Sequence, residues 1–206
     1  MLNLLLNTKF THADSFGYFT GLTAITYNPG GILSNNNDEA HRAFSNDPFS
    51  ESEYLYVKFK LNRTTYLPLS MQWYTSIEYQ YANSNLLPSE QISLGGSRSI
   101  RGFEQNTVNA DEGVKIINEL RLPNKIFSEK HFADLAFFVD WGSLRNHQFI
   151  TDDVNEFSLG SYGVNLKYGW SEYISGQISY GEPIANTGIE DGTKEQTVQM
   201  GLLISY

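Results

Sequence analysis

The chain has 206 residues, a formal net charge of −9, no cysteine and 18% charged residues. That balance excludes a nucleic-acid footprint, which needs Lys and Arg clustered on one face, and zero cysteine excludes a disulfide framework and thiolate metal sites while leaving the redox compartment open. No apolar run reaches the roughly 18 residues of a membrane helix and mean hydropathy is −0.35; helical spans are excluded, but barrel strands are not, because their alternation hides hydrophobicity from window averages.

The opening segment "LNLLLNTKF" after Met1 lacks the basic start and small-residue cleavage site of a secretory signal and reads as a strand. Period-two alternation then predicts nine strands, near 1–10, 16–28, 53–67, 70–82, 113–122, 133–144, 157–170, 172–181 and 197–206. Leu55, Val57, Phe59 and Leu61 oppose Tyr56, Lys58 and Lys60; Met71, Trp73, Ile77, Tyr79 and Tyr81 oppose Gln72, Ser76, Glu78 and Gln80. The later segments alternate more cleanly: Tyr162, Val164, Leu166, Tyr168 and Trp170 against Gly163, Asn165, Lys167 and Gly169, and Val198, Met200, Leu202, Ile204 and Tyr206 against Gln199, Gly201 and Ser205. Many of these strands have the ten or so residues that a tilted membrane strand needs.

Connections alternate between short turns, at 11–15, 67–70, 123–131 and around Ser171, and long polar loops at 29–52, 83–112, 145–156 and 182–196. Outer-membrane barrels have this asymmetry. A soluble β-sandwich also alternates its faces but has no reason to gather every long loop at one end. Tyr168, Trp170 and Tyr206 fall near strand ends on the apolar face, where interfacial girdles sit; aromatic strand residues that are simply core remain the competing reading. The expected fold is an all-β antiparallel transmembrane barrel. Nine is an odd number, and single-chain bacterial barrels have even counts. Free edges in lipid would leave on the order of ten backbone groups unpaired at several kcal/mol each, so residues 1–206 are expected to be the C-terminal part of a barrel domain whose other strands close the ring.

The loop at 83–112 is long for a structureless connection, which points to function. It carries Leu94-Gly95-Gly96 and Ile100-Arg101-Gly102-Phe103, and two strands later comes "FFVDWG". With Leu135, Phe137, Val139 and Trp141 outward, the pleat turns Phe138 and Asp140 toward the lumen. Asp140 is then available to a cation arriving from a loop, and Arg101 is the candidate. Spacing alone leaves open whether Arg101 docks there or sits on a solvated loop.

The set "LGG", "IRGF", "NEL" at 118–120 and Phe138-x-Asp140-x-Gly142 resembles the outer-membrane transporters of two-partner secretion, the haemolysin-activator and filamentous-haemagglutinin secretion proteins of the barrel-assembly superfamily. The resemblance covers most of the chain; Ile100 stands where the family usually has valine. It implies a sixteen-stranded barrel of which nine strands are present, a loop folded into the lumen, and a loop–barrel lock of Arg101 with Asp140, shaped by Gly102, Phe103, Phe138 and Gly142 beside the loop glycines Gly95 and Gly96. Roughly the first seven strands and the periplasmic substrate-capturing repeats of the family are not in this sequence. Met200, Leu202, Ile204 and Tyr206 resemble the C-terminal signal read by the outer-membrane assembly machinery.

The implied function is export of a large partner exoprotein, haemolysin or adhesin in type, across the bacterial outer membrane, with Gln72, Glu78, Lys115, Glu119, Arg121, Asn165 and Lys167 on a wet wall along its path. The expected partners are that exoprotein, outer-membrane lipid and the assembly machinery. A barrel-assembly insertase and a passive porin are the alternatives. No enzymatic activity, cofactor or metal is expected: no Gly-x-Ser-x-Gly elbow occurs, His147 with Asp152 only imitates the rim residues of an outer-membrane hydrolase, and His12, His41, His131 and His147 lack the i, i+4 spacing of a zinc site and are read as surface residues. The acidic stretch at 35–53 is read as a solvated external loop.

Overall fold

The computed structural model of the chain describes residues 2–123, 125–128, 131–149, 154–170, 174–189 and 197–204. Among these, twelve strands and one α-helix form: β1 (Leu4–Asp14), β2 (Gly17–Pro29), α1 (Asp38–Ser45), β3 (Glu53–Tyr66), β4 (Gln72–Ala82), β5 (Ile92–Leu94), β6 (Val108–Ala110), β7 (Glu112–Arg121), β8 (Lys125–Ser128), β9 (His131–Arg145), β10 (Glu156–Trp170), β11 (Ile174–Thr187) and β12 (Thr197–Ile204), with a 3₁₀ turn at Pro68–Ser70. Ten of the strands build one antiparallel sheet, nine of them in the order β1-β2-β3-β4-β7-β9-β10-β11-β12, each beside its neighbour in sequence once the small strands are set aside, with β8 paired to β9 off this path. This is an antiparallel meander in which short turns alternate with long loops.

The faces of the sheet are reversed relative to a soluble protein. On β9, Leu135, Phe137, Val139 and Trp141 are exposed, while Ala136, Phe138, Asp140, Gly142 and Leu144 between them are buried. Tyr162, Val164, Leu166, Tyr168 and Trp170 continue the exposed apolar face across β10, and Ile178 and Tyr180 extend it on β11. A surface of this size left bare would be an aggregation site in water; against lipid it is the ordinary outer face of a membrane strand.

Several strands run past their predicted ends. β1 continues to Asp14, which pairs with Gly17, so "THADS" is mostly strand and the turn shrinks to Ser15 and Phe16, tied by the Phe16 N–H donating to Asp14 Oδ1 at 2.8 Å. β11 continues through Pro183 to Thr187, although proline ordinarily demotes a strand reading. A register shift opposite Gly160 and Ser161 takes it up, in the manner of a β-bulge. The predicted turn at 123–131 holds β8, which pairs with the start of β9 below the stretch taken by β7.

The loop at 29–52 contains structure that the sequence reading assigned to solvent. Asn37 caps α1, its Oδ1 accepting the Ala40 N–H at 2.9 Å, with Asp38 and Glu39 in the first turn where the helix dipole favours them. His41, read as a surface residue, is 4% exposed, with Nε2 2.9 Å from Asn36 Oδ1. Asn36 Nδ2 in turn donates to Asn28 Oδ1 at 2.7 Å, closing the loop onto the end of β2. Burial lowers the His41 imidazole below its usual range, with the Asp38 carboxylate acting the other way; Asp38 is itself lowered by hydrogen bonds from the Ser52 backbone and hydroxyl. A base whose folded pKa is depressed binds fewer protons folded than unfolded, so its stabilisation is complete above the unfolded value of about 6.5 and declines as pH falls below it. Amide-exchange protection of residues 38–45 is therefore expected to drop between about pH 7.5 and about pH 5, and His41→Asn to remove that pH dependence; equal protection at both pH values in the wild type contradicts it.

Candidate functional site

The connection between β4 and β7 does not leave the sheet. It folds onto the polar face and brings its own core: Ile92, Leu94, Ile100, Phe103, Val108 and Ala110 pack with Leu144 of β9 and Leu159 of β10. β5 and β6 pair inside it, Ser93 opposite Asn109, so the segment read as structureless contains a small hairpin. At its base the Asp111 carboxylate accepts the backbone N–H groups of Leu86 at 2.8 Å and His147 at 3.0 Å. Burial pushes Asp111 up, against the pull of those donors. Asn85 links the same base to two further loops, donating to Asp47 Oδ2 and to the Gln148 carbonyl, both at 2.8 Å.

The tip of the hairpin carries Arg101. Gly95, Gly96 and Gly102 have φ of 96°, 101° and 90°, a region that disfavours any side chain, and the Gly96 N–H closes the tip on the Phe103 carbonyl at 3.2 Å. This conformation turns the Arg101 side chain down onto the sheet. Its Nε donates to Asp140 Oδ2 at 2.7 Å and Nη2 to Asp140 Oδ1 at 2.8 Å, a side-on fork, and its backbone N–H adds a bond to Oδ2 at 3.3 Å. Nη1 reaches Glu119 Oε1 at 2.5 Å. The guanidinium carbon lies 3.7 Å from the centre of the Phe138 ring, within cation–π range.

Strand register explains why these groups converge. β7 pairs with β9 so that Glu119 faces Phe138 and Ile117 faces Asp140, putting Glu119 and Asp140 on the same face of adjacent strands. Arg101 is 3% exposed, Asp140 fully buried and Glu119 12% exposed. Glu119 Oε2 also accepts from Arg121, Nε at 2.8 Å and Nη2 at 2.7 Å, and Arg121 stacks on Tyr74 at 4.1 Å. Two cations and two carboxylates thus form one neutral chain. Taking a single ion out of water costs several kcal/mol; the three bonds to Asp140 and the one to Glu119 offset that cost only in this geometry.

The remaining predicted residues divide. Gly142 leaves the space that Leu94 fills, since a Cβ there would lie 2.5 Å from Leu94 Cδ2. Phe103 is 1% exposed in the hairpin core, and its carbonyl accepts from Gln199 Nε2 of β12 at 2.8 Å. Met200, Leu202 and Ile204 lie on the bare apolar face of β12, 76%, 71% and 62% exposed, apart from the Arg101 cluster. Tyr206 lies outside the described residues. The sequence reading did not assign Glu119 to Arg101: it placed Glu119 on the wet wall without the register that sets it beside Phe138.

Long antiparallel strands, apolar on the bare face and carrying a buried ion cluster beneath a folded loop on the other, have the pattern of an outer-membrane β-barrel wall. The model of the haemolysin secretion/activation protein family ShlB/FhaC/HecB matches residues 3–168, and the chain belongs to that family, which places it in the bacterial outer membrane. It is 26% identical over 81% of its length to the heme/hemopexin transporter protein HuxB of Haemophilus influenzae (strain 86-028NP), and 33% identical over 62% to the outer membrane transporter CdiB of Dickeya dadantii (strain 3937). The hemolysin transporter protein HpmB of Proteus mirabilis is 25% identical over 98% of the chain. The solved structure of CdiB from Escherichia coli superposes with a TM-score of 0.77 at 19% identity, covering 98% of this chain and 36% of that one. The chain spans 30% of HuxB, 23% of Dickeya CdiB and 40% of HpmB.

Removing one member of a buried ion pair costs roughly 3–5 kcal/mol, because the other is left unpaired. Arg101→Ala is expected to free the hairpin tip, residues 95–103, from the sheet, making it the first site cut by protease in vesicle-embedded protein. Arg101→Lys is expected to behave nearly as badly, since a point charge cannot hold both Asp140 oxygens side-on. Protease resistance at the wild-type level in both variants contradicts this account.

Proposed function

We propose that residues 1–206 are the C-terminal part of a sixteen-stranded outer-membrane barrel that exports a large partner exoprotein by two-partner secretion, without enzymatic chemistry, and that the 83–111 segment is its lumen plug. The observation that carries the reading is Arg101, buried between Asp140 and Glu119 at the tip of a loop that folds onto the polar face of the sheet. In a closed barrel the polar face of the sheet becomes the lumen, so a hairpin seated on that face occupies the channel. Arg101, Gly102, Phe103, Phe138, Asp140 and Gly142 act as the loop–barrel lock, with Gly95 and Gly96 shaping the tip. HuxB, HpmB and CdiB are named as transporters, which supports transport as the activity of the whole protein.

The path for an extended chain continues below the lock toward the short turns. A groove of about 510 Å³ opens there, lined among others by Gln72, Glu119, Arg121, Asn165, Lys167 and Gln177. Mixed charges and amides suit a polar polypeptide that must slide without being held, since no single strong partner recurs along the wall. The exposed face of β12, with Met200, Leu202 and Ile204, is read as the signal for the assembly machinery and thereafter as lipid contact.

In the full-length parent, Arg101→Ala and Asp140→Ala are each expected to lower secretion of the partner at least tenfold while barrel folding, read as heat-modifiable migration, stays normal. Unchanged secretion with altered single-channel conductance sinks the transporter reading in favour of a passive pore with a constriction.

A further inference from the structure

Arg101 cannot reach Asp140 unless the backbone that carries it comes down to the sheet, and it does so over a place without side chains. Gly163 of β10 and Gly181 of β11 are direct cross-strand partners, and Gly163 also faces Phe138 of β9. Both open onto the polar face. A Cβ on Gly163 would lie 2.0 Å from the Tyr180 carbonyl oxygen and 2.6 Å from Phe138 Cζ, and one on Gly181 would lie 2.5 Å from the Gly102 nitrogen, 2.6 Å from its Cα and 2.9 Å from the Arg101 carbonyl carbon. The reverse is also true: a Cβ on Gly102 would meet the Gly181 carbonyl at 3.0 Å. Neither Gly163 nor Gly181 has a positive φ, but the two differ: the Tyr180 carbonyl of the neighbouring strand already excludes a side chain at 163, whereas the atoms nearest a Cβ at 181 all belong to the loop. What requires glycine at 181 is the material above it, the Arg101–Gly102 peptide.

We infer that Gly181 is a glycine seat that decides whether the hairpin tip is docked, positioning Arg101 for its carboxylates while taking no part in the ion chain. The seat sets the height of the loop backbone; the charges then fix its orientation. A side chain at 181 lifts Gly102 by about the thickness of a methyl group, and charge-assisted hydrogen bonds of 2.7–2.8 Å do not survive a displacement of that size. Glycine is also a weak strand former, so a β-branched residue at 181 is tolerated by β11 and acts on the loop alone. Gly176 of the same strand supplies the comparison, because a Cβ there meets only the Gly201 carbonyl at 3.7 Å.

The inference rests on the plug reading for its consequence in transport, but its test reads docking directly. The chain contains no cysteine, and Ser99 in the hairpin is 6% exposed. A single Ser99→Cys reporter in the full-length protein, embedded in outer-membrane vesicles, is labelled with a water-soluble maleimide. With Gly181→Val added, the labelling rate is expected to rise at least tenfold, and with Gly181→Ala at least threefold; with Gly176→Val it stays at the reporter's own rate. Should Gly181→Val not assemble, judged by heat-modifiable migration, Gly181→Ala decides alone, because its Cβ is enough to create the overlap. Labelling unchanged by Gly181→Ala in a folded barrel, or raised equally by Gly176→Val, overturns the seat. Secretion measured in parallel separates the two ideas: raised labelling with unchanged secretion keeps the seat and removes the plug's role in export.

Discussion

A buried guanidinium is the constraint from which the rest of this structure can be reasoned. An arginine cannot shed its charge, so wherever it is taken from water the protein must supply carboxylates within hydrogen-bond reach and close the space around them. Here that requires Asp140 and Glu119 on adjacent strands with the same parity, and a β7–β9 register that puts Glu119 opposite Phe138. A slip of one residue would turn Glu119 toward the apolar face. The ring of Phe138 covers the flat side of the guanidinium, and Arg121 takes the second oxygen of Glu119, so the excess negative charge does not face the groove unbalanced.

The sheet resolves a second problem by turning inside out. Its bare face presents Trp73, Phe137, Trp141, Tyr162 and Trp170, which only a lipid phase accepts, while its other face must be wet or covered by something polar. The hairpin that covers it is itself partly apolar, and it manages this by packing Ile92, Leu94, Ile100 and Phe103 where the wall offers Leu144 and Leu159 in place of charged residues. The wall is thus divided: apolar near the long loops, ionic at the hairpin tip, and polar and open toward the short turns. Each zone meets the part of the loop, or the solvent, that matches it.

Alternation made the nine strands and the face of Asp140 legible, because period two is a local signal and β9 obeys it without exception from Leu135 to Leu144. The pairing of Arg101 with Asp140 required more: 39 residues separate them, and the motifs flanking each were legible only through a family resemblance. Glu119 stayed hidden because its role depends on register, which no single strand encodes. Gly181 stayed hidden because an unstrained strand glycine looks like any other until the loop above it is placed. α1 was missed for a different reason. Asn37, Asp38 and Glu39 carry a helix-start signal, but the surrounding run of polar residues reads as solvated, and only the buried Asn28–Asn36–His41 contacts show what holds it.

Two kinds of attachment hold the 83–111 segment, and they differ in what it takes to undo them. At the base, Asp111, Asn85 and the apolar cluster bind the hairpin to neighbouring loops and to β9 and β10 through contacts that accumulate with area, at roughly 25 cal/mol per Å² for the apolar part. At the tip, a buried ion cluster returns little net stabilisation, because desolvation consumes most of the attraction, and the close backbone approach at Gly181 tolerates almost no displacement. An attachment of that second kind is specific without being strong. On the proposed transport reading, a polypeptide entering from the short-turn side would meet the tip first, where Glu119 and Arg121 already line the groove, and a small movement there would release the arginine while the base remained fixed. On that reading the tip can leave the wall and return to the same seat while the base stays attached, as the proposed plug requires.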